Sequence, residues 1–144
     1  MTISIRRFPV WATLAPLLAA SIAAYASPFV SSKSDTHGTL YMNVDQRAKQ
    51  IYPVNIWAVD GKLTNRSSQS VLWVAPGEYT FTVKVSPDVN LSDIPGPQRN
   101  AGYGHDQHEL KVTVEAGKDY YIGAKFTASG RWEPVIWKTE AEKS

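Results

Sequence analysis

Cysteine is absent from the 144 residues. A domain exported from this sequence must therefore fold without disulfides, carries no lipid-modified N-terminal Cys and offers no thiol nucleophile. Two further motifs are missing: the Gly-x-Ser-x-Gly elbow that would expose a serine nucleophile, and a glycine-rich loop ahead of a helix that would cradle phosphate. A Ser, His and Asp triad through His105 has no motif behind it, so the expectation is a protein with neither enzymatic activity nor cofactor. Helical periodicity is nearly absent as well. Only "DQRAKQ", Asp45 to Gln50, suits a helix, and six residues do not hold one alone.

A surplus of charge is also lacking. Fifteen Lys and Arg face thirteen Asp and Glu, but two of the basic residues are Arg6 and Arg7. Behind them thirteen face thirteen, with no Lys/Arg cluster interleaved with aromatics, which removes the electrostatic case for a nucleic-acid partner.

What is present begins with a secretory signal. In "MTISIRRFPVWATLAPLLAASIAAYA" the pair Arg6-Arg7 precedes an apolar stretch from Phe8 to Ala24, and Ala24-Tyr25-Ala26 supplies a small-x-small cleavage pattern. The apolar stretch falls short of the ~20 residues of a membrane span and contains Pro16. Cleavage after Ala26 leaves 118 residues starting at Ser27, enough for one compact core and with no stable membrane insertion.

The remainder alternates between apolar and polar residues, the mark of strands with one buried face. "TLYMNV" puts Leu40, Met42 and Val44 on one side and Tyr41 on the other. In "QIYPVNIWAVDG", Ile51, Val54, Ile56 and Ala58 oppose Asn55, Trp57 and Val59; Asp60-Gly61 is a turn pair, and Pro53 marks an edge or bulge. "SVLWVAPGEYTFTVKV" reads as strand, turn at Pro76-Gly77, strand. "HELKVTVEAGKDYYIGAKF" repeats that arrangement, and "RWEPVIWK" closes the series. The reading is all-β: a single antiparallel β-sandwich of about seven strands over residues 38–138. A flexible leader over 27–37 precedes it, and a charged tail over 139–144 follows.

Both "VAPGEYTFTVKV" and "VEAGKDYYIGAKF" place a glycine, a charged residue and then an aromatic ahead of an alternating strand, the same hairpin solution used twice. Together with "VDGK", these segments resemble small exported bacterial proteins of the PEGA-type, transthyretin-like surface-domain group. The resemblance runs from about Leu40 to Phe126. It implies a compact β-sandwich serving as an accessory or binding module of the bacterial envelope, periplasmic or at the cell surface, and it supplies no catalytic residues.

Chemistry has two places to sit. A loop over 86–107, "SPDVNLSDIPGPQRNAGYGHDQ", holds three prolines and three glycines and departs from that group. A loop of this length in a small domain is functional or disordered. With the next residue it ends in Tyr103, His105, Asp106 and His108; two imidazoles and a carboxylate give a candidate metal site, with His37 as a further ligand. The second place is the aromatic complement, four Trp, six Tyr and three Phe beyond the signal. Trp57 and Tyr121 lie at outward parity, and Trp132 and Trp137 bracket the last strand. Trp57, Tyr103, Tyr121 and Trp132 are therefore candidates for a ligand-binding face that stacks on a glycan or an envelope protein. The expected function is non-enzymatic binding through a sheet face or the loop, with metal binding and carbohydrate recognition as alternatives.

Overall fold

A period-two pattern is satisfied only when each strand lays its apolar side against another layer. The computed structural model describes residues 27–90, 94, 106–127 and 131–143 and arranges them in this way. The strands are β1 (Phe29–Val30), β2 (Gly38–Tyr41), β3 (Ile51–Tyr52), β4 (Val54–Val59), β5 (Lys62–Leu63), β6 (Val71–Val74), β7 (Gly77–Val85), β8 (His108–Val114), β9 (Lys118–Phe126) and β10 (Trp132–Ala141). Seven of them run four residues or more, and β1, β3 and β5 are two-residue additions. The "DQRAKQ" segment supplies one 3-10 turn, Arg47–Lys49. Among the described residues no helix is long and apolar enough to cross a membrane. The signal segment, residues 1–26, lies outside the described residues.

Two sheets face each other. One runs β1-β6-β2-β9-β10 with β3 also paired to β9; the other runs β5-β4-β7-β8. Between them lie Leu40, Met42, Ile56, Phe81, Ile122 and Phe126, all at most 1% exposed. Ile94 is fully buried in the same core.

Several expectations are refined. Among the described residues every strand pair is antiparallel except β2 with β9, which runs parallel with Tyr41 opposite Tyr121. A parallel pair needs a long crossover, and here the chain traverses the four-stranded sheet before β9 returns beside β2. Pro53 does more than mark an edge: β3 before it pairs with β9, while β4 after it pairs with β7, so the chain changes sheets there. Proline suits such a point because it has no N–H to donate, while its carbonyl accepts the Ser86 N–H at 2.9 Å.

The two expected hairpins are corners instead. β6 and β8 lie in different sheets from their successors β7 and β9. At the first corner the Tyr79 hydroxyl donates to the Ala75 carbonyl at 2.8 Å, and at the second the Glu115 N–H donates to the Tyr120 hydroxyl at 2.9 Å. The glycines turn through φ values of 154° at Gly77 and 68° at Gly117, where a side chain would be strained. The shared sequence pattern thus encodes a tyrosine-clamped crossing between sheets.

Trp57 sits at a register shift between Ile56 and Ala58 in the β4–β7 pairing. A bulge turns one residue out of step, so Val59, expected on the outer side, is buried opposite Phe81. The Asp60-Gly61 turn closes β4 onto β5 with positive φ at both residues, 48° and 80°, the primed geometry that suits a two-residue hairpin. Both ends of the sandwich reach beyond the expected limits. Phe29, in the stretch expected to be a flexible leader, is buried and β1 pairs with β6, while β10 continues to Ala141.

Candidate functional site: an aromatic stripe on the six-stranded sheet

Of the candidate metal ligands, His105 lies outside the described residues, as does Tyr103. Asp106 is exposed. His108 opens β8, where the edge of one sheet approaches β10 of the other, and its ring meets Trp132 edge-on at 4.3 Å between centroids. His37 is engaged locally, with Nδ1 2.9 Å from the Thr36 hydroxyl. Among the described residues no three His, Asp or Glu side chains converge to hold a metal.

Trp132 was expected on an open face. It pairs with Phe126 in register and is 3% exposed, so its ring belongs to the core and the seam with His108 rather than to a ligand platform. Trp57 is exposed at 39%, but the Lys84 ammonium stands 3.9 Å above its ring and covers one side.

Tyr121 is different, because the sheet gives it neighbours that sequence did not. Parallel pairing sets Tyr41 beside it, and the rings stack at 4.9 Å with 14° between planes. On its other flank the bulge between Ile136 and Lys138 turns Trp137 onto the same outer face, 5.4 Å from Tyr121. Gly123 lies beside it: a Cβ there would touch Trp137 Cδ1 at an ordinary 3.5 Å and would collide with Ile51 Cγ2. Lys49 and Lys138 lie over the stripe, 5.8 Å from the Trp137 ring and 5.2 Å from the Tyr121 ring. Their flexible stems cover apolar surface while the ammonium groups stay wet.

One pleat further along, Asp119 shares the outer face, opposite Thr39 on β2 and Glu140 on β10. Burial, reinforced by the neighbouring Glu142 carboxylate, raises its pKa above the usual Asp value, although Lys33 and the Thr39 hydrogen bond pull the other way. Lys33 is held by Glu142 at 2.7 Å. Glu140 is shifted down by its hydrogen bond to Lys138, with the Tyr121 hydroxyl also donating to it at 3.3 Å. Burial raises the hydroxyl pKa of both Tyr41 and Tyr121, so each stays a neutral donor.

Two polar atoms of this face are buried without a hydrogen-bond partner: Asp119 Oδ1, an acceptor, and Trp137 Nε1, a donor. Asp119 lies two residues before Tyr121 on β9, and Trp137 flanks Tyr121 from β10. An unpaired buried polar group carries a desolvation penalty of roughly 1–3 kcal/mol. Outward parity pointed to Tyr41 and Tyr121 separately; their juxtaposition, and the inclusion of Trp137 and Asp119, depend on parallel pairing and a bulge. Comparison of the chain with protein-family models, curated proteins and solved structures finds no match.

Proposed function

We propose that the chain is an exported, non-enzymatic binding module of the bacterial envelope that holds a glycan on the outer face of its six-stranded sheet. The observation that carries this reading is the stack of Tyr41 and Tyr121, flanked by Trp137 and sharing its face with two buried polar atoms that lack a hydrogen-bond partner, Asp119 Oδ1 and Trp137 Nε1. Saccharides match that combination. Their C–H faces stack on aromatic rings, and each hydroxyl both donates and accepts. The signal-like front of the chain and the likeness to PEGA-type surface domains favour an envelope setting.

Calorimetric titration of the protein beginning at Ser27 with soluble peptidoglycan-derived saccharides tests the proposal. Binding should weaken by about tenfold in Tyr121→Ala and in Trp137→Ala, the size of one lost stacking contact. Trp57→Ala, on the other sheet, should bind as the parent does. No saccharide binding, or binding indifferent to all three substitutions, removes the reading.

A further inference from the structure

The two open sides of the sandwich differ. On one, β8 and β10 approach each other through His108 and Trp132. On the other, the edge strands β1 and β5 are two residues each, and the sheets part over a cleft of about 560 Å³. That volume lies in the range of small-ligand sites, roughly 300–1,000 Å³.

The cleft walls are largely apolar, formed by Phe29, Val59, Leu63, Ala75 and Tyr79. The Tyr79 hydroxyl is already committed to the Ala75 carbonyl, so the ring contributes apolar surface. Leu63 is 75% exposed, and of the described large apolar residues it and Trp57 are the two that face water. The walls are held in place. Ala75 N–H donates to the Pro28 carbonyl at 2.9 Å, and the Asp60 carboxylate accepts the Thr80 N–H at 2.8 Å, fixing the β4–β5 turn. Charge is placed at the mouth: Lys62 and Ser27 both line it. Removal of residues 1–26 would add the α-ammonium of Ser27 to the same rim, which Asp60 also lines.

We propose that this cleft binds a single-chain amphiphile, with its apolar tail between the sheet edges and an anionic head at Lys62 and the Ser27 amine. The assignment of the head rests on cleavage after Ala26; the tail site does not, and neither depends on the glycan face.

Dodecanoate and dodecanol, titrated into the 27–144 protein and followed by amide chemical shifts, separate these elements. Dodecanoate should shift Leu63, Thr64 and Ala75 and bind more tightly than dodecanol. Leu63→Asp, an exposed position that leaves the core intact, should weaken dodecanoate by about tenfold, equivalent to 1.4 kcal/mol. Ala75→Phe, which fills the cleft, should weaken both ligands. Acetylating the Ser27 amine should weaken dodecanoate alone. Absence of dodecanoate binding, shifts confined to other surfaces, or equal affinity in Leu63→Asp and the parent overturns the tail site; indifference to acetylation overturns the role of Ser27.

Discussion

The hydroxyl of Tyr79 donates to the carbonyl of Ala75 at 2.8 Å across the corner where the chain leaves one sheet for the other. The second corner is built in the same way, with Tyr120 accepting from Glu115 N–H. These clamps let two turns of the same composition carry the chain between layers. Tyr79→Phe and Tyr120→Phe keep the rings and remove one hydrogen bond each. Each should cost about 1 kcal/mol in urea unfolding. The corners are separate, so the double variant should lose close to the sum; a strongly non-additive pair would mean that the corners are not independent.

Gly123 sits beneath Ile51 and Trp137, where a Cβ would collide with Ile51 Cγ2. Gly123→Ala should therefore destabilise by about 1–3 kcal/mol through overpacking. It should also alter Trp137 emission, because the indole rests over this position. Unchanged stability and emission would show that nothing packs there.

Phe29 ties the start of the described chain into the core. Phe29→Ala should cost about 3 kcal/mol, near the low end for a buried aromatic because the residue lies at an edge. Deleting residues 27–30 should cost at least as much in the same denaturation assay. A leader with no structural role predicts no change in either.

Asp119 gives a pH signature. Its folded pKa is raised by burial, with Glu142 and Glu140 adding repulsion and Lys33 and Thr39 opposing it. The folded state therefore binds the proton more tightly than the unfolded state. The penalty of its charged form is absent below the ordinary Asp value of 3.8 and develops fully as pH rises through the raised one. Asp119→Asn should raise stability at neutral pH, and the gain should vanish in acid below that value. Glu140, shifted down, works oppositely: its contribution is present above the ordinary Glu value of 4.5 and is lost as pH falls through its own. Melting temperatures of both Asn and Gln variants across pH separate the two. A gain in Asp119→Asn that persists unchanged into acid contradicts the assignment.

Alternation in the sequence made the strands and the core legible. Tyr120, Ile122, Ala124 and Phe126 all point inward as their parity requires, and Asp60-Gly61 turns as its residue types require. Partners were not legible. The alternation of β2 and β9 is the same for parallel and antiparallel pairing, so nothing in "TLYMNV" set Tyr41 against Tyr121. Bulges at Trp57 and Trp137 shift parity by one residue; the first buries Val59 and the second brings an indole onto the tyrosine stack. Trp132 is buried for a related reason: its register with Phe126 points it inward, and this is fixed by β9 rather than by its own neighbours in sequence. The two corners resembled hairpins because a glycine followed by an aromatic serves either connection.

The proposed glycan site is the face formed by Tyr41, Tyr121 and Trp137. Its most direct test is an amide and indole NMR titration of the 27–144 protein with peptidoglycan-derived saccharides. Saturable shifts are expected at the Trp137 indole N–H and at Thr39, Tyr41, Asp119 and Tyr121, and their loss in Tyr121→Ala. Shifts absent from these positions, or centred on Trp57 and the opposite sheet, would contradict it.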